Sequence, residues 1–385
     1  MRGAKAFVLL IYLLAGIVFT GLVGPVRSAV EADFNLDHTQ FGVPYALLGI
    51  VVNILLLFLA MPRLSRVSGI SLIYGSAAIT IAGLVVVSQA GSFGLFLGGW
   101  SLIFVAGMFT STANTMSMKL WKDNPKRGVI ILHALNSLGK ALGPLVAGVA
   151  LLIGWRWSYF ASAGLYIAFL LIFLPLASRL KPVLPPPAPR TIAGSAFRSP
   201  AFWLCSLPFG LIAGGETAFA TLIPGYFEKF RHLSPTFSAL MFSAHLVGLM
   251  SGRIVFALLS DRLSANAIIA LCLSAGVFVF PAVLADNLIV SGVCLFLLGL
   301  MFSATWPVFF AQASAIASDH RDMLAFGAVL GNTIGVQACI AISSIIADRN
   351  YVWALYFGPF VLWAFGVLYF TTRLSRAPEP MTKEE

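Results

Sequence analysis

Residues 178–200 read SRLKPVLPPPAPRTIAGSAFRSP. Proline removes a backbone donor and favours extended chain, and the interspersed arginines and lysine resist burial in hydrocarbon. This stretch therefore reads as a polar connection and not as a membrane span. On either side of it the chain changes character. Six apolar stretches precede it: Ala6–Val30, Phe41–Met61, Gly69–Gln89, Phe93–Ala113, Val129–Ile153 and Trp157–Leu176. Six follow: Ala201–Gly225, Phe237–Leu258, Asn266–Ala285, Leu288–Ala313, Leu324–Ala347 and Val352–Thr371. About 20 apolar residues in a helix cross the hydrocarbon core, and a helix satisfies its own backbone hydrogen bonds there. The expected fold is an all-α polytopic membrane protein with twelve transmembrane helices. They form two six-helix bundles, residues 1–177 and 201–385, joined by the linker 178–200.

Composition agrees. The 385 residues are 59% hydrophobic and 10% charged, where a soluble domain carries roughly 25% charged residues. The first span, which begins after Met1-Arg2-Gly3, is longer than a signal-peptide core and is read as mature structure. An even number of spans puts both termini on one side. Of the 24 lysines and arginines, only Arg156, Lys229, Arg231 and Arg349 fall in the opposite loops; Arg27 and Lys140 lie within spans, and Arg253 sits at the inner end of the eighth. The positive-inside rule then makes the termini cytoplasmic, in an inner or plasma membrane. The net charge of +10 belongs to these loops beside anionic lipid, so no nucleic-acid partner is inferred. Cys205, Cys272, Cys294 and Cys339 lie inside spans without metal-ligand spacing, so neither a metal nor a disulfide framework is expected. No phosphate-binding loop or nucleophile–base arrangement is present, which argues against an enzyme, a cofactor and ATP-driven work.

Ionisable side chains inside spans are expensive and point to function. Glu216 lies deep in the seventh span and Lys140 deep in the fifth, both near the midplane by a rise of 1.5 Å per residue. Glu216 reads as a proton carrier or a hydrogen-bond acceptor for a solute, or as a structural carboxylate paired with a cation. Lys140 reads as a partner for an anionic group, as the counter-ion of Glu216, or as a packed lysine. His133, Asn136 and Lys140 are spaced i, i+3, i+7 and share one helix face. Arg27 and His245 are further candidates for the site. Asn114, Gln312 and Trp306 would supply hydrogen bonds and a flat apolar wall.

The two halves carry repeat marks. A shift of 197 residues sets Glu31 on Glu228, Leu36 on Leu233 and Thr39 on Thr236. A shift of 192 sets Gly139 and Gly143 on Gly331 and Gly335. Small residues four apart let helices approach closely, and these glycines, with Pro144, are read as a gate that meets the opposite half in one access state, or as plain packing. The cytoplasmic loop after the eighth span, Leu259-Ser260-Asp261-Arg262-Leu263-Ser264, offers Asp261 and Arg262 as latch residues, with Arg253 as a nearby anchor. The matching first-half loop, Pro62 to Gly69, lacks the aspartate. Gly154-Trp155-Arg156-Trp157 reads as an interfacial anchor.

The stretch Gly139-Lys140-Ala141-Leu142-Gly143-Pro144-Leu145-Val146-Ala147-Gly148 resembles the fifth-helix glycine–proline motif of the major facilitator superfamily, with Ala147 in place of one glycine. The six-plus-six layout and the Asp261-Arg262 loop are similar to that family too. Within it, Phe209-Gly210, Gly215-Glu216, Tyr226, Ile131-Leu132-His133-Ala134 and Gly252-Arg253 resemble the fucose/glucose-type sugar symporters. The tryptophan that branch has after the glutamate is replaced by Thr221-Leu222, and the first and fourth spans hold no carboxylate. The resemblance implies a cavity lined mainly by spans 1, 4, 7 and 10. It implies a monomeric secondary active transporter, working by alternating access among membrane lipids, whose substrate is a small polar organic molecule, an organic anion or sugar-like, with protons as coupling ion. Export of amphipathic drugs or lipids is the alternative within transport. A non-transporting receptor or a lipid-modifying enzyme is the alternative of another class.

Overall fold

The computed structural model describes residues 2–56, 58, 67–110, 112–121, 125–176, 198–259, 262–316 and 321–376. Among them every regular element is helical. Eleven helices are long and apolar enough to cross a membrane. They are labelled α1 (Gly3–Asp33), α2 (His38–Leu55), α3 (Gly69–Ser88), α4 (Phe93–Asn114), α6 (Trp155–Leu176), α7 (Phe202–Lys229), α8 (Pro235–Leu259), α9 (Ala265–Leu284), α10 (Leu288–Ala313), α11 (Gly327–Arg349) and α12 (Tyr351–Thr371). The remaining helix, α5 (Pro125–Ala150), is 26 residues long and carries the charged residues of the fifth expected span. The all-α polytopic fold is as the sequence implies. Two spans run further than their apolar residues: α1 continues to Asp33 and α7 to Lys229. Their polar ends stay helical because they pair with one another, as described below.

Several helices depart from regular geometry. α1 winds as a π-helix over Ile17–Leu22, and α9 tightens to 3-10 geometry over Ser274–Phe278. Such departures inside a helix often mark functional positions. Pro208 and Pro224 lie inside α7, and Pro359 inside α12. Each withdraws a donor from the carbonyl four residues earlier.

The chain groups into two compact units. The first contains Met1–Asp37, Leu47–Arg190 and Phe227–Ser243; the second contains His38–Ala46, Thr191–Tyr226 and Ala244–Glu385. The division departs from chain order at the first turns of α2 and of α8, and hydrogen bonds explain both departures. The Asp348 carboxylate at the end of α11 accepts from the backbone N–H groups of His38 and Thr39, each at 2.8 Å. These are orphan donors of the α2 N-terminus, and an aspartate there satisfies them and suits the helix dipole. The start of α8 is held instead by the Thr236 hydroxyl, which donates to the Gly148 carbonyl of α5 at 2.7 Å.

The repeat read from the sequence is visible in the backbone. The two non-glycine residues with positive φ among the described residues are Asn35 (52°) and His232 (54°), which the 197-residue shift superimposes. Each sits in the turn leading into α2 or α8. The turns close similarly, Leu36 N–H donating to the Glu31 carbonyl at 2.8 Å and Leu233 N–H to the Phe227 carbonyl at 3.0 Å.

The glycine pairs are crossing points. A Cβ on Gly143 would lie 2.5 Å from the Gly21 Cα of α1, and one on Gly139 would strike the Leu13 carbonyl. In the second unit Gly331 lies against Ser206, and Gly335 against Gly210, both on α7. Gly139 and Gly143 lie against α1, and Gly331 and Gly335 against α7, the first helix of each half. Glycine lets the two backbones come closer than side chains would permit. Pro144 is buried beside this crossing. Trp155 also departs from its reading as an interfacial anchor. It is 5% exposed and packs edge-on against Phe34, Phe96 and Tyr159, while Trp157 is the exposed member of the motif.

Candidate functional site

In the first unit the polar stripe of α5 gathers around one residue of α1. The Asn136 amide donates to the Tyr12 carbonyl at 2.9 Å, and the His133 ring stands edge-on to the Tyr12 ring with centroids 5.5 Å apart. From α4, the Asn114 amide donates to the Tyr12 hydroxyl at 3.2 Å. Asn114, His133 and Asn136 therefore converge on Tyr12, all half-buried. Lys140 lies one turn further along α5, also half-buried, where its backbone N would be 2.9 Å from a Cβ on Gly16. Small residues at 16 and 21 on α1 permit this close crossing. Tyr12 was not among the candidates read from the sequence, because a lone tyrosine in an apolar span carries no spacing signal.

In the second unit Glu216 and His245 line one narrow pocket, with Gly215, Phe219, Gly276 and Pro359 among its other walls. Glu216 Oε1 is sealed from solvent without a hydrogen-bond partner. His245 is 2% exposed and its ring lies 5.9 Å from that of Phe219, edge to face. The 3-10 stretch of α9 and the proline of α12 border the same pocket. Glu216 has no ion pair among the described residues, because its helix turns this face into the pocket of its own unit.

Close by in sequence, α10 presents a stacked aromatic plate. The Trp306 and Phe310 rings lie 5.4 Å apart and within 8° of parallel, and Phe209 of α7 packs against Trp306 at 5.2 Å. Both plate residues are half-buried. Gln312 is 2% exposed, with its amide oxygen unpartnered. Arg253 is half-buried on α8 and Arg262 is exposed in the turn after it. Asp261 lies outside the described residues.

Arg27 does not join the Tyr12 group. It is 2% exposed, and its guanidinium Nε donates to Glu31 Oε1 at 2.7 Å. The reading of Arg27 as a solute-binding residue is corrected accordingly, since its charge is committed to a carboxylate one turn away. The i, i+4 spacing of Arg27 and Glu31, and the repeat match of Glu31 with Glu228, were the signals that could have found this pair.

Repeated six-helix halves, with polar groups and a carboxylate set inside apolar helices, define an integral membrane transporter. The chain belongs to the major facilitator superfamily, whose family model matches residues 8–336. It is similar to a putative glucose/galactose transporter of Helicobacter pylori (strain J99 / ATCC 700824), 25% identical over 276 residues, 67% of each chain. The putative glucose/galactose transporter of Helicobacter pylori strain ATCC 700392 / 26695 is 24% identical over 307 residues, 74% of each chain. The fold is shared with a bacterial homologue of the human lysosomal transporter Spinster in its inward-facing, occupied conformation. That likeness has a TM-score of 0.73 at 16% identity, over 97% of this chain and 96% of the other. A peptide transporter solved in complex with sulfate shares the fold as well, with a TM-score of 0.75 at 13% identity over 98% and 96%. Members of this family are transporters and not enzymes.

Proposed function

We propose that this protein moves a sugar-like polar solute across the inner or plasma membrane by alternating access, driven by protons through Glu216. The observation that carries the reading is the convergence of Asn114, His133 and Asn136 on Tyr12 in the first unit. Around Tyr12 the first unit offers neutral amide and imidazole groups, and the second offers the flat Trp306–Phe310 plate. Neutral donors and acceptors suit hydroxyl groups, and an aromatic face suits the C–H surface of a pyranose ring. The glucose/galactose names of the relatives support the same solute class. Glu216 supports coupling because ionisable side chains inside membrane spans mark proton and ion pathways, and one of its oxygens is sealed without a hydrogen-bond partner. The lysine and arginine bias supports a cytoplasmic position for both termini, and the proline-rich basic stretch 178–200 supports a six-plus-six chain divided there.

An organic anion is the second reading, and it rests on the Lys140 ammonium. Counter-flow into proteoliposomes separates the two. Vesicles loaded with unlabelled galactose or glucose are expected to accumulate the labelled sugar, while vesicles loaded with small carboxylates are not. Accumulation of carboxylates without sugars would transfer the reading to the anion.

A further inference from the structure

At the C-terminal ends of α1 and α7 lies a mixed-charge cluster that the transport reading does not use. Glu31 is 3% exposed and engages two cations: Arg27 on one oxygen at 2.7 Å, and the Lys229 Nζ on the other at 3.6 Å. Beside it stands Glu228, hydrogen-bonded to the Ser28 hydroxyl of α1 and facing the Glu31 carboxylate. Glu228 joins no salt bridge among the described residues. Its Oε1 is closed off from solvent and has no hydrogen-bond partner.

We infer that Glu228 is a proton-binding site, distinct from Glu216, which locks the ends of α1 and α7 together while protonated. The charges acting on Glu228 are Lys229 on its own helix and Glu31 on α1, and Arg27 bears on it through Glu31. Both oxygens of Glu31 are already engaged with the two cations. An ionised Glu228 would leave one oxygen sealed and unpaired, with a second carboxylate facing it. Two carboxylates that share a site do not both ionise readily, and an unpaired buried charge costs several kcal/mol. A proton on Glu228 removes both penalties and leaves Arg27, Glu31 and Lys229 as a compact network. Loss of that proton creates a competitor for Lys229, whose side chain is 42% exposed. The ammonium then leaves Glu31 for its neighbour on α7, and the α1–α7 bridge opens. Exchange with the aqueous phase is direct, because Lys229 is the last residue of α7 and Phe230 beyond it is 49% exposed.

The inference stands apart from the choice of solute and is tested without one. The full-length protein in lipid nanodiscs is titrated with pH, and the carboxylic-acid stretch is followed by difference infrared spectroscopy in the parent, in Glu228→Gln and in Glu216→Gln. A titrating carboxyl signal is expected in the parent, absent from Glu228→Gln and retained in Glu216→Gln. Glutamine has the shape and neutrality of the protonated acid, so Glu228→Gln should fold. Should it not, Glu228→Asp replaces it, and the signal should shift instead of vanishing. A second readout is the distance between spin labels placed at the ends of α1 and α7. It should lengthen with rising pH in the parent and hold its acid-side value at all pH in Glu228→Gln. An unchanged carboxyl titration in Glu228→Gln or a shift-free Glu228→Asp, or a parent distance indifferent to pH, overturns the proposal.

Discussion

Three side chains carry the transport chemistry proposed above, and their surroundings set the tests. Tyr12 holds the Asn114 amide through its hydroxyl. Tyr12→Phe removes that acceptor while keeping the ring against His133. A neutral hydrogen bond contributes about 1 kcal/mol, so galactose counter-flow should show KM raised about fivefold with the protein still folded. Unaltered KM would remove Tyr12 from the solute site. Glu216 is read as the proton carrier. Glu216→Gln cannot release a proton, so accumulation against a gradient should be lost while exchange of solute across the membrane persists. Proton-driven accumulation at the parent level in that variant would show that coupling runs elsewhere. Lys140 was legible in the sequence as a basic residue deep in a span, and its partner was not. Residue spacing within one helix says nothing about which face a second, distant helix turns towards it.

At the scale of elements, close crossings of glycine faces set the positions of the functional side chains. The π-helical stretch of α1 runs across Gly139 and Gly143 of α5, which brings Tyr12 to the polar stripe. Gly143→Leu would place a branched side chain where Gly21 leaves 2.5 Å. Overpacking of this kind costs about 1–3 kcal/mol, so the solubilised protein should melt at a lower temperature. Gly98 and Gly164 are natural controls, because a Cβ there meets nothing within 4 Å. Gly98→Ala and Gly164→Ala should leave the melting temperature unchanged. If Gly143→Leu melts like the parent, the α1–α5 crossing is not the close contact described. The small-residue spacing was readable from the sequence. Its partner was not, since a glycine face fits any helix able to approach it.

For the molecule as a whole, the charge bias and the hydropathy pattern determine topology, and topology can be labelled. The four native cysteines are buried, so background reaction with a membrane-impermeant maleimide should be low. Single cysteines introduced at Lys181 in the linker and at Lys383 near the C-terminus should react only when the cytoplasmic side is accessible. One at Phe230 should react only from the opposite side. Labelling of all three from one side would overturn the assigned orientation.

Sequence by itself determined the all-α polytopic class, the repeat and the family, because each depends on properties that add up along the chain. Apolar length decides whether a helix crosses, proline and charge decide where it cannot, and repeat marks such as Glu31 and Glu228 survive as residue types. Tertiary structure alone decided the partners. It brought Lys229 to Glu31, turned Glu216 into a pocket with His245, gathered Asn114, His133 and Asn136 on Tyr12, and capped α2 with Asp348. Each of these depends on the rotation of one helix about its axis relative to another. In a membrane, where nearly every surface is apolar, that rotation is set by packing and a few polar contacts and not by hydrophobic pattern.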